Sequence, residues 1–420
     1  MSKQNKTQAP KPAPERSLFD PLPESAIHYL KDEHGSERKE LGIDYDWEHV
    51  RKMYKALNCP PGFYDPTTMP VSEAAHNVLF SARSTGKTTN VLLFFMCAAW
   101  AYSGEIIYCR QRDFMIEKGK LDKLFEIIRA FHYVSKITGG RYTDVNYYSR
   151  AWRYVNRDDT GKIIEQSDPF CVCVAVDRNE VYKSTLNAPR GDFLVYDEFI
   201  SSDYEKNEFI HFLDLCKTIF RDRISPVVVW VCNNTDPWSE YLRELNVQGV
   251  VARMCDGESA YVKTSKGTVI YCERVGVKSE IRKVVNSKYY GFDNPLINSI
   301  TGGDGWNIDC FPHIEDDDTR EVLTRGIFVE FENTITELEL CVSENVGLHI
   351  LAHKATKVSD KAVCDYTLGD ISKLYHAYGF GPGRKIDKVV WGLYTENKWY
   401  FSNNEVGNIC LNYYNRARKL

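Results

Sequence analysis

Residues 76–103 read HNVLFSARSTGKTTNVLLFFMCAAWAYS and decide the fold of this 420-residue chain. A short apolar strand (76–80) leads through a loop of small and polar residues into a long apolar helix (88–103). A loop in that position presents consecutive backbone N–H groups and a helix N-terminus to an anion, as phosphate-binding loops do. The predicted nucleotide contacts are Ser81, Arg83, Ser84, Thr85, Gly86, Lys87 and Thr88.

The loop residues suggest specific roles with ATP. Lys87 would neutralise the β- and γ-phosphate oxygens, and the Thr88 hydroxyl would bind Mg²⁺. Arg83 points at the γ-phosphate, pairs with a neighbouring acid or is an ordinary surface arginine. The usual pattern has glycine where this chain has Ser81, and a Gly-Lys-Thr tripeptide also occurs at ordinary helix starts. The strand before the loop and the helix after it favour a nucleotide site.

Two acids follow another apolar strand. Residues 193–198 read FLVYDE, and we expect Asp197 to reach Mg²⁺ through water and Glu198 to orient and activate the attacking water. Residues 227–236 read VVVWVCNNTD, where Asn234 would sense the γ-phosphate. The same residues also suit a turn that caps the next helix.

The order of these segments predicts an α/β fold. Apolar strands alternate with helical segments, including an amphipathic one at 115–132, which is typical of a parallel sheet covered by helices on both faces. After about residue 250, short alternating strands dominate. We expect a flexible tail (1–25), a P-loop ATPase domain (26–250), a linker region (251–305) and a smaller α+β domain (306–420).

Composition narrows the class of protein. The net charge of −5 gives no global basic field, which counts against a protein that coats nucleic acid but allows a local basic track. The 13 cysteines lack zinc-site spacing, so we expect buried thiols in a reducing compartment. The N-terminus lacks a secretion signal, and no apolar run is long enough to span a bilayer. We therefore expect an intracellular protein that does not associate with a membrane.

Three motifs together resemble one known family. They are the loop SARSTGKT (81–88), the strand end VYDEFI (195–200) and FRDR (220–223) after an apolar helix. In combination they are similar to the DNA-packaging ATPases of φ29-like bacteriophages. The similarity covers most of residues 76–245 and, weakly, 327–420.

The resemblance implies a fold and a set of partners. It implies an ASCE-class P-loop domain, followed by an RNase H-like domain that has lost its catalytic carboxylates. The family forms homo-oligomeric rings, pentameric in expectation, that use ATP and Mg²⁺ to translocate double-stranded DNA through the portal, or connector, into a procapsid. Some members also bind a packaging RNA. The implied location is the host cytoplasm, transiently at the procapsid portal vertex, and not the mature virion.

The resemblance also implies roles for two basic residues at the boundary between subunits. Arg221 matches the position of an arginine finger that acts on the neighbouring subunit's nucleotide, and Lys183 matches a second basic group that reaches a neighbour. Without the family, Arg221 at a helix end would be an ordinary solvated or dipole-pairing residue.

Nuclease activity is not expected. Glu330 lies where a first metal-binding carboxylate belongs, but the later segments offer no convincing partner, and residues 315–318 (EDDD) suit a solvated loop. Two alternatives stay open: a terminase large subunit with an active nuclease domain, and a nucleotide-gated DNA-binding switch that hydrolyses ATP negligibly.

DNA contacts are expected to be nonspecific phosphate contacts, because a translocating motor must travel over any sequence. Each basic cluster also suits an ordinary solvated surface. The candidates are Arg274, Lys278, Arg282, Lys283 and Lys288; then Arg384, Lys385 and Lys388; and finally Arg416, Arg418 and Lys419.

Overall fold

The chain divides into two compact units. The first comprises Met1–Phe199, Phe209–Asn233 and Cys255–Arg282, and the second comprises the remaining segments. The computed structural model describes residues 16–81, 85–186, 190–200, 207–233, 239–251, 253–276, 312–313, 319–331, 334–357, 364–367 and 385–417.

The first unit is built on one large sheet. Its strands are β1 (His76–Ser81), β2 (Glu105–Arg110), β3 (Asp144–Tyr148), β4 (Ala151–Arg157), β5 (Ile163–Ala175), β6 (Gly191–Asp197), β7 (Val227–Asn233), β8 (Ser259–Lys263) and β9 (Val269–Arg274). They lie in the order β3-β4-β5-β2-β6-β7-β1-β9-β8. The strands from β5 to β9 in this order run parallel, and antiparallel strands flank them.

The accompanying helices are α1 (Trp47–Ala56), α2 (Lys87–Tyr102), α3 (Lys118–Leu121), α4 (Glu126–Ala130), α5 (Tyr133–Ile137), α6 (Asn179–Thr185) and α7 (Glu208–Phe220). On one face of the sheet, Phe95 of α2 stacks on Phe193 of β6, with ring centroids 4.7 Å apart. On the other face, Phe212 of α7 stacks on Tyr196 at 4.8 Å. The predicted parallel sheet with helices on both faces is therefore confirmed.

The strand order defines the class of fold. β7 lies between β1, which leads into the phosphate loop, and β6, which carries the two acids. This inserted strand is the arrangement of the ASCE class of P-loop folds. Because the carboxyl ends of parallel strands lie along one edge of a sheet, the last residues of β1, β6 and β7 lie at the same edge.

The structure departs from the sequence prediction in three segments. Residues 259–274 are not a linker, because β9 pairs in register with β1 and extends the first sheet. Residues 16–25 are not a free tail: the Leu22 backbone N–H donates to the Ala101 carbonyl at 2.8 Å, and Trp100 Nε1 donates to the Phe19 carbonyl at 2.8 Å. The segment 115–132 is not one helix but a series of short helical turns, including α3 and α4.

The second unit contains helices and a smaller sheet. Its helices are α8 (Glu240–Glu244), α9 (Gln248–Val251), α10 (Lys385–Thr395) and α11 (Asn404–Ala417); its strands are β10 (Glu321–Phe331), β11 (Thr334–Ser343), β12 (Gly347–Ala355), β13 (Cys364–Thr367) and β14 (Trp399–Phe401). The strand order is β13-β10-β11-β12-β14. Its α+β character is as predicted, whereas its RNase H-like assignment stays a prediction. In the described part of the chain, no helix has the length and apolar character needed to cross a bilayer.

Candidate nucleotide site

The phosphate loop and the two acids converge on one edge of the first sheet. Ser81, at the end of β1, is the register partner of Asn233 on β7, and Val231 of β7 is the partner of Asp197 on β6. The side chains then meet directly, because Thr88 Oγ1 donates to Asp197 Oδ1 at 2.8 Å. Segments more than a hundred residues apart in sequence therefore form one site.

Thr88 and Asp197 have the chemistry of a Mg²⁺ site. A hydroxyl and a carboxylate are hard oxygen donors, which is the ligand type that Mg²⁺ prefers. Asp197 is buried, and its second oxygen, Oδ2, accepts a hydrogen bond from the Tyr108 hydroxyl at 2.7 Å. Burial, with the Asp197 carboxylate next, raises the pKa of Tyr108 well above its usual value, so this hydroxyl stays a donor.

Lys87 is held inside the loop. Its ammonium donates to Ser81 Oγ and, at 3.2 Å, to Thr85 Oγ1, and these two hydroxyls share a hydrogen bond of 2.7 Å. Ser81, which replaces the usual glycine, therefore contributes a hydroxyl that orients the lysine. Gly86, at φ +76°, cannot be replaced as easily, because an added Cβ would lie 2.7 Å from Phe63 Cδ1. Arg83, Ser84 and Asn234 lie outside the described residues.

Arg110 is the site residue that sequence reasoning missed. It ends β2, next to β6, and its Nη1 lies 3.1 Å from Asp197 Oδ2 while its Nη2 forms a short ion pair with Glu198 Oε2. Burial alone would lower the pKa of Arg110, but Tyr108 and the two carboxylates outweigh it and raise that pKa. The sequence feature that could have identified Arg110 is a basic residue at the carboxyl end of an apolar strand.

Glu198 occupies a backbone conformation that is uncommon for its residue type. Its φ is 52°, and its backbone N–H donates to the Val231 carbonyl at 2.7 Å. Non-glycine residues at positive φ cluster where function requires a fixed geometry. The turn lifts the Glu198 carboxylate out of the sheet, so that 54% of its side chain is exposed although Asp197 beside it is buried.

These residues surround a cavity of about 460 Å³, within the range of small-molecule sites. The lining residues are Phe63, Thr85, Gly86, Lys87, Thr88, Thr89, Ile127, Asp197, Glu198, Val231, Cys232 and Asn233. Burial, opposed by Lys87 and reinforced by Asp197, raises the pKa of Cys232 to about 12. Cys232 therefore lines the cavity as a protonated thiol and does not act as a nucleophile.

Most of the chain is similar in fold to solved packaging motors. The DNA packaging motor gp11 of Phi-28 matches with a TM-score of 0.51 and 17% identity, over 85% of this chain and 98% of that one. The viral genome packaging motor assembly of bacteriophage Phi-29 matches with a TM-score of 0.51 and 18% identity, over 85% of this chain and 100% of that one. The chain has the fold of these packaging-motor proteins. No protein-family model and no curated protein matches it.

Within this packaging-motor fold, Arg221 lies near the start of β6, and it does not line the cavity. It follows α7 with a φ of 47°, and two residues later Arg223 forms a short, buried ion pair with Asp192 at the start of β6. Asp192 and Asp197 are five residues apart along β6, about 16 Å at the rise of a strand. Arg221, two residues before Arg223, therefore lies near the start of β6, whereas Asp197 lies at the end of that strand.

Lys183 is exposed to solvent, whereas Arg274, one of the DNA-contact candidates, is buried. Lys183 on α6 is 43% exposed, with its ammonium 2.6 Å from Glu180 Oε1 and 4.0 Å from Asp214 Oδ2. Arg274, predicted as a DNA contact, is buried: its side chain is 7% exposed, and its Nε lies 2.6 Å from Asp256 Oδ1, which argues against that contact.

The other basic candidates lie mostly beyond what the structure describes. Lys385 and Lys388 are exposed on α10, and the backbone of Arg416 lies in α11. The candidates outside the described residues are Lys278, Arg282, Lys283, Lys288, Arg384, Arg418 and Lys419.

The nuclease question concerns the second unit. Glu330 lies on β10, opposite Ile335 of β11 and Thr367 of β13. Residues 315–318 lie outside the described residues. The absence of nuclease activity therefore stays a prediction.

Proposed function

We propose that this chain is the ATP-hydrolysing subunit of a motor that translocates double-stranded viral DNA into a procapsid through its portal. The observation that carries the proposal is the convergence of Lys87, Thr88, Asp197 and Glu198 on one cavity. The similarity in fold to two packaging motors supports the choice of motor over other ATPases.

Each of the four residues has a role in this proposal. Lys87 binds the β- and γ-phosphate oxygens once it leaves Ser81 and Thr85. Thr88 and Asp197 hold Mg²⁺, which when bound would neutralise charge on the β- and γ-oxygens. Glu198, the more exposed acid, orients the attacking water and takes its proton.

Arg110 gives this site a resting state. While its guanidinium pairs with Glu198, that carboxylate is charge-neutralised and is held toward β2. Bound Mg²⁺ would compete with Arg110 for Asp197, because both are cations held by the same carboxylate. We infer that nucleotide binding loosens Arg110 and frees Glu198 to face the water.

The position of Arg221 favours a shared site. Because Arg221 lies near the start of β6 and does not line its own cavity, its proposed role as a finger requires a neighbouring subunit. We therefore propose a homo-oligomeric ring, pentameric by resemblance, with Lys183 as a second group directed at a neighbour. Docking to a portal and to a packaging RNA, and action in the host cytoplasm at the procapsid, are part of the same proposal.

A translocation assay tests the proposal. The purified chain, with procapsids, linear double-stranded DNA, ATP and Mg²⁺, is expected to protect DNA from added nuclease, and Lys87→Ala is expected to abolish both protection and ATP turnover. Electron microscopy of the same sample is expected to show rings. ATP turnover without DNA protection at any procapsid or RNA concentration would contradict the motor function and leave only an ATPase.

A further inference from the structure

The nucleotide cavity is lined by two apolar side chains that are exposed to solvent. Phe63 is 39% exposed and Ile127 is 50% exposed, and both line the cavity that contains Lys87 and Thr88. Single exposed apolar residues are common on protein surfaces. Two of them beside a phosphate loop give the cavity an apolar region in addition to its charged one.

The backbone around Phe63 is fastened to the phosphate loop. The Tyr64 backbone N–H donates to the Thr85 carbonyl at 2.9 Å, and Asn90 Nδ2 on α2 donates to the Tyr64 carbonyl at 2.6 Å. The Phe63 ring packs against Gly86. The contact is possible because glycine has no Cβ, which would otherwise lie 2.7 Å from Phe63 Cδ1. The backbone that carries the ring is therefore held in place before any ligand arrives, which reduces the entropy cost of binding.

Ile127 is held by its neighbours on α4. Ile128 is fully buried in the core, and Arg129 Nε lies 2.7 Å from Asp144 Oδ1 while its Nη1 donates to the Asp122 carbonyl at 3.1 Å. These contacts fix the helix so that Ile127 stays on the cavity side. Its exposure is therefore a consequence of a rigid helix and not of a loose one.

We propose that Phe63 and Ile127 form a clamp for the nucleobase, with Phe63 stacking on one face of the base. The inference rests on the proposed ATP site and extends it to the part of the ligand that the phosphate loop does not touch. Stacking uses the face of a base rather than its hydrogen-bonding edges. The clamp therefore holds adenine and guanine alike, and these two residues do not select between them.

The test compares a ligand that has a base with one that lacks it. Isothermal titration calorimetry of the full chain with Mg²⁺ would use adenylyl imidodiphosphate and, separately, inorganic tripolyphosphate. Phe63→Ala is expected to weaken the nucleotide analogue about tenfold, in the range of base–aromatic stacking, and to leave tripolyphosphate affinity unchanged. Phe63→Trp retains a stacking surface and is expected to keep the wild-type affinity for both ligands.

Two further variants sharpen the comparison. Ile127→Ala is expected to weaken the nucleotide analogue less than Phe63→Ala does, because an aliphatic side chain contributes contact but no stacking. The matched control is Phe131→Ala, since Phe131 is 47% exposed and lies just after α4 but does not line the cavity. It is expected to change neither affinity.

The outcomes separate the clamp from the proposed function. If Phe63→Ala weakens both ligands equally, Phe63 shapes the phosphate loop and the clamp is wrong; if it weakens neither, the base lies elsewhere. Unchanged tripolyphosphate binding also reports that the variant's loop is folded. Failure of the wild-type chain to bind either ligand would instead overturn the ATP site itself.

Discussion

Arg110→Ala is expected to destabilise the nucleotide-free protein more than the nucleotide-bound protein. Asp197 is buried, with 8% of its side chain exposed, and Arg110 is largely covered, with 16% exposed; their closest atoms are 3.1 Å apart. Truncating Arg110 leaves the Asp197 carboxylate buried, with the hydroxyls of Thr88 and Tyr108 as its side-chain donors among the described residues. That is the situation in which an uncompensated charge is costly.

The expected loss of stability in Arg110→Ala follows from the burial of this ion pair. Removing one partner of a buried ion pair costs about 3–5 kcal/mol, and the two remaining hydrogen bonds favour the lower value. The contact with Glu198 adds little, because that side chain is 54% exposed and solvent screens it. A loss of about 3 kcal/mol lowers the Tm of a 150–250-residue domain by about 6–12 °C. Bound Mg²⁺ supplies a new positive charge at Asp197, so the Tm difference between variant and wild type shrinks when nucleotide is present.

Differential scanning fluorimetry with and without Mg²⁺ and adenylyl imidodiphosphate measures both states. The matched control is Arg150→Ala, which removes an arginine that pairs with Asp113 but is 43% exposed. The control is expected to cost less than about 1 kcal/mol, in either state. Adding Asp197→Asn to Arg110→Ala removes the stranded charge, and we expect it to recover part of the nucleotide-free Tm.

Two results would refute this reasoning. One is a nucleotide-free Arg110→Ala Tm that matches that of the surface control. The other is an equal loss of Tm with and without nucleotide, which would mean that Arg110 supports the fold in general rather than the charge of Asp197.

The remaining predictions concern turnover and DNA. Glu198→Gln is expected to lower ATP turnover by about 10²–10⁴, the range for loss of a general base, while calorimetry shows nucleotide binding retained; undiminished turnover would mean that another group activates the water. Mixing Arg221→Ala subunits with Lys87→Ala subunits is expected to restore part of the turnover that each lacks alone, because an intact Lys87 site can then meet an intact Arg221; no recovery at any ratio would argue against a shared site. Plasmid incubated with the wild-type chain and Mn²⁺ is expected to stay intact on a gel, and cleavage that Glu330→Ala abolishes would favour the terminase alternative.

Local sequence patterns were sufficient for the central parallel strands of the first sheet and for the meeting of the phosphate loop with the two acids. The apolar strand at 76–80, the loop that ends at Thr88 and the acids at 197–198 each carry their own signal. Parallel strands share a carboxyl edge, so those signals also predict that the segments meet, as the Thr88–Asp197 hydrogen bond confirms. The roles of the site residues in catalysis stay predictions.

Tertiary structure decided what depends on neighbours distant in sequence. Arg110 became a site residue only because β2 pairs with β6, and Arg274 proved to be buried because its strand lies beside β1 and its side chain meets Asp256. Residues 16–25 pack on the core through single contacts such as Trp100 with Phe19, which no periodic pattern announces. Sequence determined which segments could form strands and carry the phosphate-site chemistry, because those depend on local residue type and spacing. Which side chains lie beside them depends on strand pairing over long separations, and only the folded chain settles that.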